Sequence, residues 1–167
     1  TNLTLWCLCL LLNADVDESF DAFDFCFDIV GCHEELSRVR ADDSYRDGHW
    51  QGYWGVDVDV EMDLGKPTQI NMISMRFIQN TFDWILAPKM VEVYTSVDGK
   101  EYKLLKQEEL QPNFHLSGNV VNPVSVRDLN TKTRYLRVVA KNPGLLPQWH
   151  PAKGNQSYLF VDEIVVE

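Results

Sequence analysis

Aromatic rings beside polar side chains are the groups in this sequence best suited to binding chemistry. They lie in segments rich in glycine, proline and polar residues, which predicts loops or strand edges. The candidates are Trp50, Tyr53, Trp54, Trp84 and Trp149. A sugar packs the C–H face of its ring on an aromatic side chain, and its hydroxyls need polar partners close by. The pattern therefore predicts a saccharide site, and the alternative for each tryptophan is a packing role in the core.

Two short segments combine a ring with a hydrogen-bonding neighbour. Trp50 lies between His49 and Gln51, and Trp149 directly precedes His150. Prolines stand close to the second pair on both sides. They restrict the loop, which lowers the entropy lost when the loop is ordered by a ligand. We therefore predict that both segments contact the ligand.

Polar side chains that follow predicted strands form a second group of candidates. Gln79 and Asn80 come directly after an apolar stretch, and Asp83 and His115 lie in predicted loops. An amide both donates and accepts hydrogen bonds, which suits two adjacent hydroxyls. Asn and Asp also favour turns for local reasons, so turn formation is the alternative interpretation. We predict that Gln79 and Asn80 bind the sugar.

A run of alternating acidic residues is the most conspicuous charged pattern. Its members are Asp57, Asp59, Glu61 and Asp63. On a strand, carboxylates two residues apart share one face at a spacing of about 7 Å. A glycosidase needs one such group with a raised pKa, but the opposite face is apolar, which predicts that the acidic face is solvated. Motifs of serine hydrolases, zinc proteases and nucleotide-binding loops are missing from the sequence. We therefore predict no catalytic residue.

The spacing of apolar residues predicts the elements that position these groups. From residue 41 onward Gly and Pro recur at turn positions, and the intervening segments alternate apolar and polar residues. Gly65-Lys66-Pro67 is predicted to end one strand, and Asp98-Gly99 to form a hairpin turn. The predicted strands fall within 56–64, 68–79, 89–105, 119–129, 133–142 and 157–167. About seven strands without an amphipathic helix predict an all-β antiparallel sandwich or jelly roll.

Composition limits the partners. The chain has 167 residues, which suits one domain, and a formal net charge of −10. This charge argues against nucleic acid and against anionic membrane surfaces, since both need clustered Lys and Arg. No segment reaches the roughly 20 apolar residues of a membrane helix, so no membrane insertion is predicted. A neutral sugar is compatible with this charge.

The first 40 residues differ from the rest. They contain no Pro, no Lys and a single Gly, and they hold all four cysteines: Cys7, Cys9, Cys26 and Cys32. We predict that 1–40 is an atypical N-terminal segment of the same sandwich and that 41–167 is the binding domain. Free thiols and disulfides both fit the cysteine spacing, and the phenylalanine-rich stretch within 17–31 fits either a helix or a strand.

Three segments, 47–65, 77–102 and 135–167, carry a family likeness. In order and spacing they resemble the discoidin (factor V/VIII type C) module at the C-terminus of bacterial family 20 glycoside hydrolases, the β-N-acetylhexosaminidases. The resemblance implies a discoidin-like jelly roll of eight strands whose loops at one end bind a glycan through a terminal galactose or N-acetylhexosamine. It also implies a non-catalytic module, attached to the catalytic domain of a glycoside hydrolase that is secreted, periplasmic or on the surface of a bacterium.

The resemblance further implies a structural calcium ion. Its ligands come from a loop early in the domain and from a Glu in the last strand, which here is Glu163. The sequence departs from the family where members open with Leu-x-Asp-Gly, because residues 36–39 read Leu-Ser-Arg-Val. Two other functions fit the same fold: a purely structural accessory domain of the hydrolase, and a protein-binding adhesion module. Convergence of the tryptophans and His150 at one exposed loop end favours sugar binding over these.

Overall fold

The computed structural model describes residues 43–46 and 48–167. The predicted N-terminal segment 1–40, including its four cysteines, lies outside the described residues. The departure from the family pattern at 36–39 lies outside them as well.

Eight strands form two four-stranded antiparallel sheets, so the prediction of an all-β sandwich is confirmed. The strands are β1 Gln51–Trp54, β2 Val58–Ile70, β3 Ile73–Gln79, β4 Met90–Ser96, β5 Lys103–Glu109, β6 Val120–Val126, β7 Thr131–Lys141 and β8 Tyr158–Val166. One sheet has the order β1-β8-β3-β6 and the other the order β2-β7-β4-β5. A short 3-10 turn, Thr81–Asp83, interrupts the connection between β3 and β4.

The period-two alternation fills the space between the sheets. On β7, Leu136, Val138 and Ala140 are buried, and β2 contributes Val58 and Val60 to the same cluster. The inward residues of β3 join them from the facing sheet; these are Ile73, Met75 and Phe77. Full burial of one such Val, Leu, Ile, Met or Phe side chain contributes roughly 1.5–3 kcal/mol. The two sheets therefore share one apolar core.

One predicted strand end is wrong. β2 does not stop at Gly65 but continues to Ile70, and its pairing with β7 shifts register between Asp63 and Thr68. Gly65 has φ = 75°, so it supplies the left-handed backbone that a bulge needs. The turn-forming residues are thus absorbed into a β-bulge. Val56 is exposed because it precedes the first paired residue of β2.

The acidic face of β2 is exposed and charge-paired. Two guanidinium nitrogens of Arg137, Nε and Nη2, donate to the carboxylate of Asp59 at 2.7 and 2.5 Å. Arg134 makes the same paired contact with Asp63, at 2.7 Å for each bond. The hydrogen bond from Arg134 is the main reason that the pKa of Asp63 lies below its ordinary value. Exposed pairs of this kind each contribute about 0.2–1 kcal/mol. This face is therefore solvated, and its carboxylates Asp59 and Asp63 are paired with cations.

A truncation in the shared core tests this architecture. Leu136→Ala on β7 removes a fully buried side chain, and we expect the free energy of unfolding to fall by about 2–5 kcal/mol. The matched control is Leu104→Ala on the edge strand β5, where the side chain is exposed and the loss should stay within about 0.5 kcal/mol. Urea unfolding followed by tryptophan fluorescence measures both. Equal losses in the two variants would contradict the described core.

Candidate functional site

Three connections enclose a cleft at one end of the sandwich. They are the connection between β3 and β4 (80–89), the one between β5 and β6 (110–119) and the one between β7 and β8 (142–157). The cleft has a volume of about 470 Å³. The residues that matter most for its chemistry are Thr81, Phe82, Phe114, His115, Trp149 and His150. Segments far apart in sequence thus combine rings and polar groups in one place.

Aromatic side chains provide the apolar surface of the cleft. Trp149 is 49% exposed, and its ring lies against the imidazole of His115 with 4.3 Å between centroids and 23° between planes. Phe82, in the 3-10 turn, is 81% exposed. Such rings present flat apolar faces to solvent, which is the surface that a sugar's C–H face packs against. The contact with His115 holds the Trp149 ring in place.

Two buried polar atoms complete the cleft. Thr81 is 4% exposed and His150 is 6% exposed, yet Thr81 Oγ1 and His150 Nε2 have no hydrogen-bond partner among the described residues. A buried polar group without a partner costs about 1–3 kcal/mol. Both residues line the cleft, so these two unpartnered atoms belong to side chains at its surface.

The hydrogen bond at the other nitrogen assigns the tautomer of His150. The backbone N–H of Ala152 donates to His150 Nδ1 at 3.0 Å. Because Nδ1 accepts, the proton of the neutral ring is on Nε2. The unpartnered atom of His150 is therefore a donor, whereas the hydroxyl of Thr81 both donates and accepts.

Gln79 and Asn80, predicted to bind the sugar, connect the loops to each other. Gln79 is buried, and its Nε2 donates to the backbone oxygen of Asn113 at 2.9 Å. Asn80 caps the 3-10 turn, because its side chain accepts from the backbone N–H of Asp83. Its amide nitrogen also donates to Asn119 Oδ1 at 2.9 Å. Asn80 lines the cleft, but its amide is already engaged within the protein.

The predicted aromatic residues divide between different places. Trp149 and His150 both line the cleft. Trp50 is buried in a second apolar cluster with Ile78 and Ile85. The ring of Tyr53 packs against the main core, and burial raises the pKa of its hydroxyl.

Trp84 lies apart from the cleft with Trp54. The two indole rings stack with 5.9 Å between centroids, and Trp54 also contacts Tyr158. Trp149 thus adjoins His150 in the cleft, whereas the other three tryptophans of the described chain are buried or lie elsewhere. By this criterion the scatter of the three favours a structural role for them.

Thr81, Phe82 and Phe114 also line the cleft but were not predicted to belong to the site. Phe82 carries a usable signal, because a large apolar side chain stands inside an otherwise polar loop between Asn80 and Asp83. Thr81 carries none, because its importance comes from burial without a partner, which only the folded chain produces.

The calcium prediction rests on Glu163, which lies on β8 and is half-buried. The neighbouring Asp162 forms a salt bridge with Arg76. Its carboxylate also accepts a hydrogen bond from the backbone N–H of Glu163 at 2.6 Å. Across 43–46 and 48–167, no group of three or more His, Cys, Asp or Glu side chains is arranged to hold a metal ion. Residues 41, 42 and 47 of the early loop are outside the described chain, so the calcium site stays a prediction. The described part also contains no helix long and apolar enough to cross a membrane.

In comparisons with known proteins, the model of the F5/8 type C domain family matches residues 33–162. Among solved structures, the C-terminal domain of a chitobiase from Bacteroides fragilis is 14% identical with a TM-score of 0.39, over 67% of this chain and 63% of that chain. This chain thus spans less than two thirds of that protein. The CBM32-1 module of a family 31 glycoside hydrolase from Clostridium perfringens is 19% identical with a TM-score of 0.44, over 76% of this chain and 86% of that chain. No curated protein matches the sequence.

The role of Asn80 as a connector is testable. Asn80→Ala removes the cap of the 3-10 turn and the bond to Asn119, so we expect the free energy of unfolding to fall by about 0.5–2 kcal/mol. The matched control is Asn71→Ala, since Asn71 is exposed and only its backbone makes hydrogen bonds. Chemical unfolding of both variants measures the difference. If Asn80→Ala is as stable as the control, its contacts do not fix the loops.

Proposed function

The chain belongs to the F5/8 type C domain family, and on that basis we propose that it is a non-catalytic module that binds carbohydrate. One observation carries the proposal: the exposed rings of Trp149 and Phe82 share a cleft with the buried, unpartnered atoms Thr81 Oγ1 and His150 Nε2. A saccharide suits both the aromatic rings and the polar atoms, because its ring has an apolar face and its edge carries hydroxyls.

In the proposed complex the C–H face of the sugar packs on Trp149. One hydroxyl of the sugar accepts a hydrogen bond from the Nε2–H of His150. Another hydroxyl forms a hydrogen bond with Thr81 Oγ1, as donor or as acceptor. The cleft is shallow and makes few contacts, so a single module binds weakly. Each buried polar atom gains a partner only when the sugar is bound, which favours the complex over the free protein.

The proposed sugar is a terminal galactose or N-acetylhexosamine. Phe82 and Leu116 extend the apolar surface beyond Trp149 and give an acetamide methyl a place to pack. His150 provides a hydrogen-bond donor, and the Thr81 hydroxyl provides a group that donates and accepts. Both galactose and an N-acetylhexosamine carry neighbouring hydroxyls that can bond to them.

We propose that the module is attached to a glycoside hydrolase of the β-N-acetylhexosaminidase kind, outside the cytoplasm of a bacterium. The resemblance of segments 47–65, 77–102 and 135–167 to modules of such enzymes supports this. Binding of the glycan by the module would hold the catalytic domain near its substrate and raise the effective concentration of cleavable bonds. The module itself supplies affinity and no bond cleavage.

A different surface favours a second candidate function, that of a structural accessory domain. Trp54 is 42% exposed, and Val56 and Leu145 are exposed as well. Asn142 donates hydrogen bonds to the backbone oxygens of Val56 and Ser157, which draws the 56 and 142–157 regions together. An attached catalytic domain that covers these side chains would remove apolar area from water.

A glycan array separates the two functions. We expect the purified module to bind glycans that end in galactose or N-acetylhexosamine, and Trp149→Ala to lower the signal at least tenfold because the stacking surface is lost. Trp54→Ala is the matched control, since it removes an indole of similar exposure outside the cleft and should keep the signal. Circular dichroism checks that both variants fold. Binding that persists in folded Trp149→Ala would remove this cleft from the site, and a wild-type module that binds no glycan would favour the structural function.

We also propose that a structural calcium ion binds near Glu163, as the family resemblance implies. Calcium should raise the melting temperature of the module and a chelator should lower it, because the ion binds only the folded chain. Glu163→Gln should remove most of this shift, whereas Glu101→Gln, an exposed control in the loop after β4, should keep it. Differential scanning calorimetry measures the shifts. Identical melting temperatures with calcium and with chelator would contradict the calcium proposal.

A further inference from the structure

A second cleft adjoins the first. It has a volume of about 440 Å³ and lies where the start of β4 and the connection from β5 to β6 meet the end of β7. The residues that decide its chemistry are Lys89, Met90, Leu110, Gln111, Pro112 and Phe114. Phe114 lines both clefts. The two clefts are therefore neighbours that share the Phe114 ring.

The second cleft combines apolar and polar side chains, as the first does, but charged groups such as Glu109 also line it. Met90, Leu110 and Pro112 are half-buried and give it an apolar surface. Gln111 is exposed at its side. An apolar surface with a few polar groups at its edge is the composition of a ligand site rather than of ordinary protein surface.

Two polar side chains of this cleft are already engaged. The ammonium group of Lys141 pairs with Asp57 at 3.1 Å and with Glu92 at 3.4 Å. The amide nitrogen of Asn142 donates to two backbone oxygens. Neither side chain has much capacity left for a ligand.

Lys89 and Gln111, in contrast, have hydrogen-bonding capacity to spare. Lys89 Nζ makes one long contact, 3.4 Å to the backbone oxygen of Pro143. The side chain of Gln111 makes no hydrogen bond to the described chain. These two are the groups that would reach the hydroxyls of a bound molecule.

The wall between the clefts is fixed on both sides. The backbone N–H of Leu110 donates to the oxygen of Lys89 at 2.8 Å, and Gln79 donates to the backbone of Asn113 at 2.9 Å. The ring of Phe114 follows directly after the second anchor. Because the protein has already ordered this wall, a ligand that spans it loses less free energy to loop ordering.

We propose that the second cleft is a further saccharide subsite, so that the module binds an oligosaccharide across Phe114 rather than a terminal sugar alone. The inference rests on the proposed function of the first cleft. The terminal unit lies against Trp149, and the next unit packs beside Phe114 and bonds to Lys89 and Gln111. The ligand class is thereby a neutral chain of two or more sugar units.

Titration calorimetry with two sugar series tests the subsite. The probes are galactose against β-1,4-galactotriose, and N-acetylglucosamine against chitotriose. In the series that binds, we expect the trisaccharide to bind at least tenfold more tightly than the monosaccharide. The double variant Lys89→Ala/Gln111→Ala should bring the trisaccharide down to the affinity of the monosaccharide and leave the monosaccharide unchanged. The matched control Lys100→Ala/Gln107→Ala removes an exposed Lys and Gln outside the cleft. It should still bind the trisaccharide more tightly than the monosaccharide.

The outcomes separate this inference from the function it rests on. Equal affinity for monosaccharide and trisaccharide in the wild-type protein overturns the subsite, and so does a full trisaccharide gain in Lys89→Ala/Gln111→Ala. In either case, monosaccharide binding that Trp149→Ala abolishes would leave the proposed function standing. A wild-type protein that binds none of the four sugars overturns both.

Discussion

The structure depends on the burial of one apolar face from each sheet in a common core. Strands β2 and β7 contribute Val60 and Val138 from one side, and β3 contributes Phe77 from the other. A strand whose side chains alternate inward and outward cannot bend away without exposing its apolar face. The chain therefore reverses only at the two ends of the sandwich. Three such reversals meet at one end, and this produces a cleft from segments that are far apart in sequence.

Much of the fold could be predicted because period-two alternation is local information. Leu136, Val138 and Ala140 alternate along the predicted strand within 133–142 and are buried, and the Asp98-Gly99 turn joins β4 to β5 as expected. The error at Gly65 has a physical cause. The backbone preferences of Gly and Pro fit the end of a strand and a β-bulge equally well. Here the pairing of β2 with β7 on both sides of Gly65 makes it a bulge.

The site could be predicted in part. Trp149 and His150 lie in the cleft because their loop is held outside both sheets, whereas Trp50 is covered by Ile85 from another connection. Whether a loop indole is exposed depends on which distant segment packs over it, and a single sequence does not contain that information. The same holds for Thr81, whose hydroxyl matters because folding buries it without a partner. Residue type and neighbours therefore identified Trp149 and His150 as members of the candidate cleft, but not its full membership.

The charge of the protein and its proposed binding chemistry occupy different surfaces. Asp59 and Asp63 of β2 are paired with cations of β7 on the outer face of one sheet. The first cleft, by contrast, is lined by no Asp, Glu, Lys or Arg from the described chain. Paired charges on the sheet face keep that surface hydrated and oppose pairing with other chains. The shared core stabilises the sheets without the loops. The loops can therefore place aromatic rings beside unpartnered polar atoms, a combination that is unusual on an ordinary protein surface.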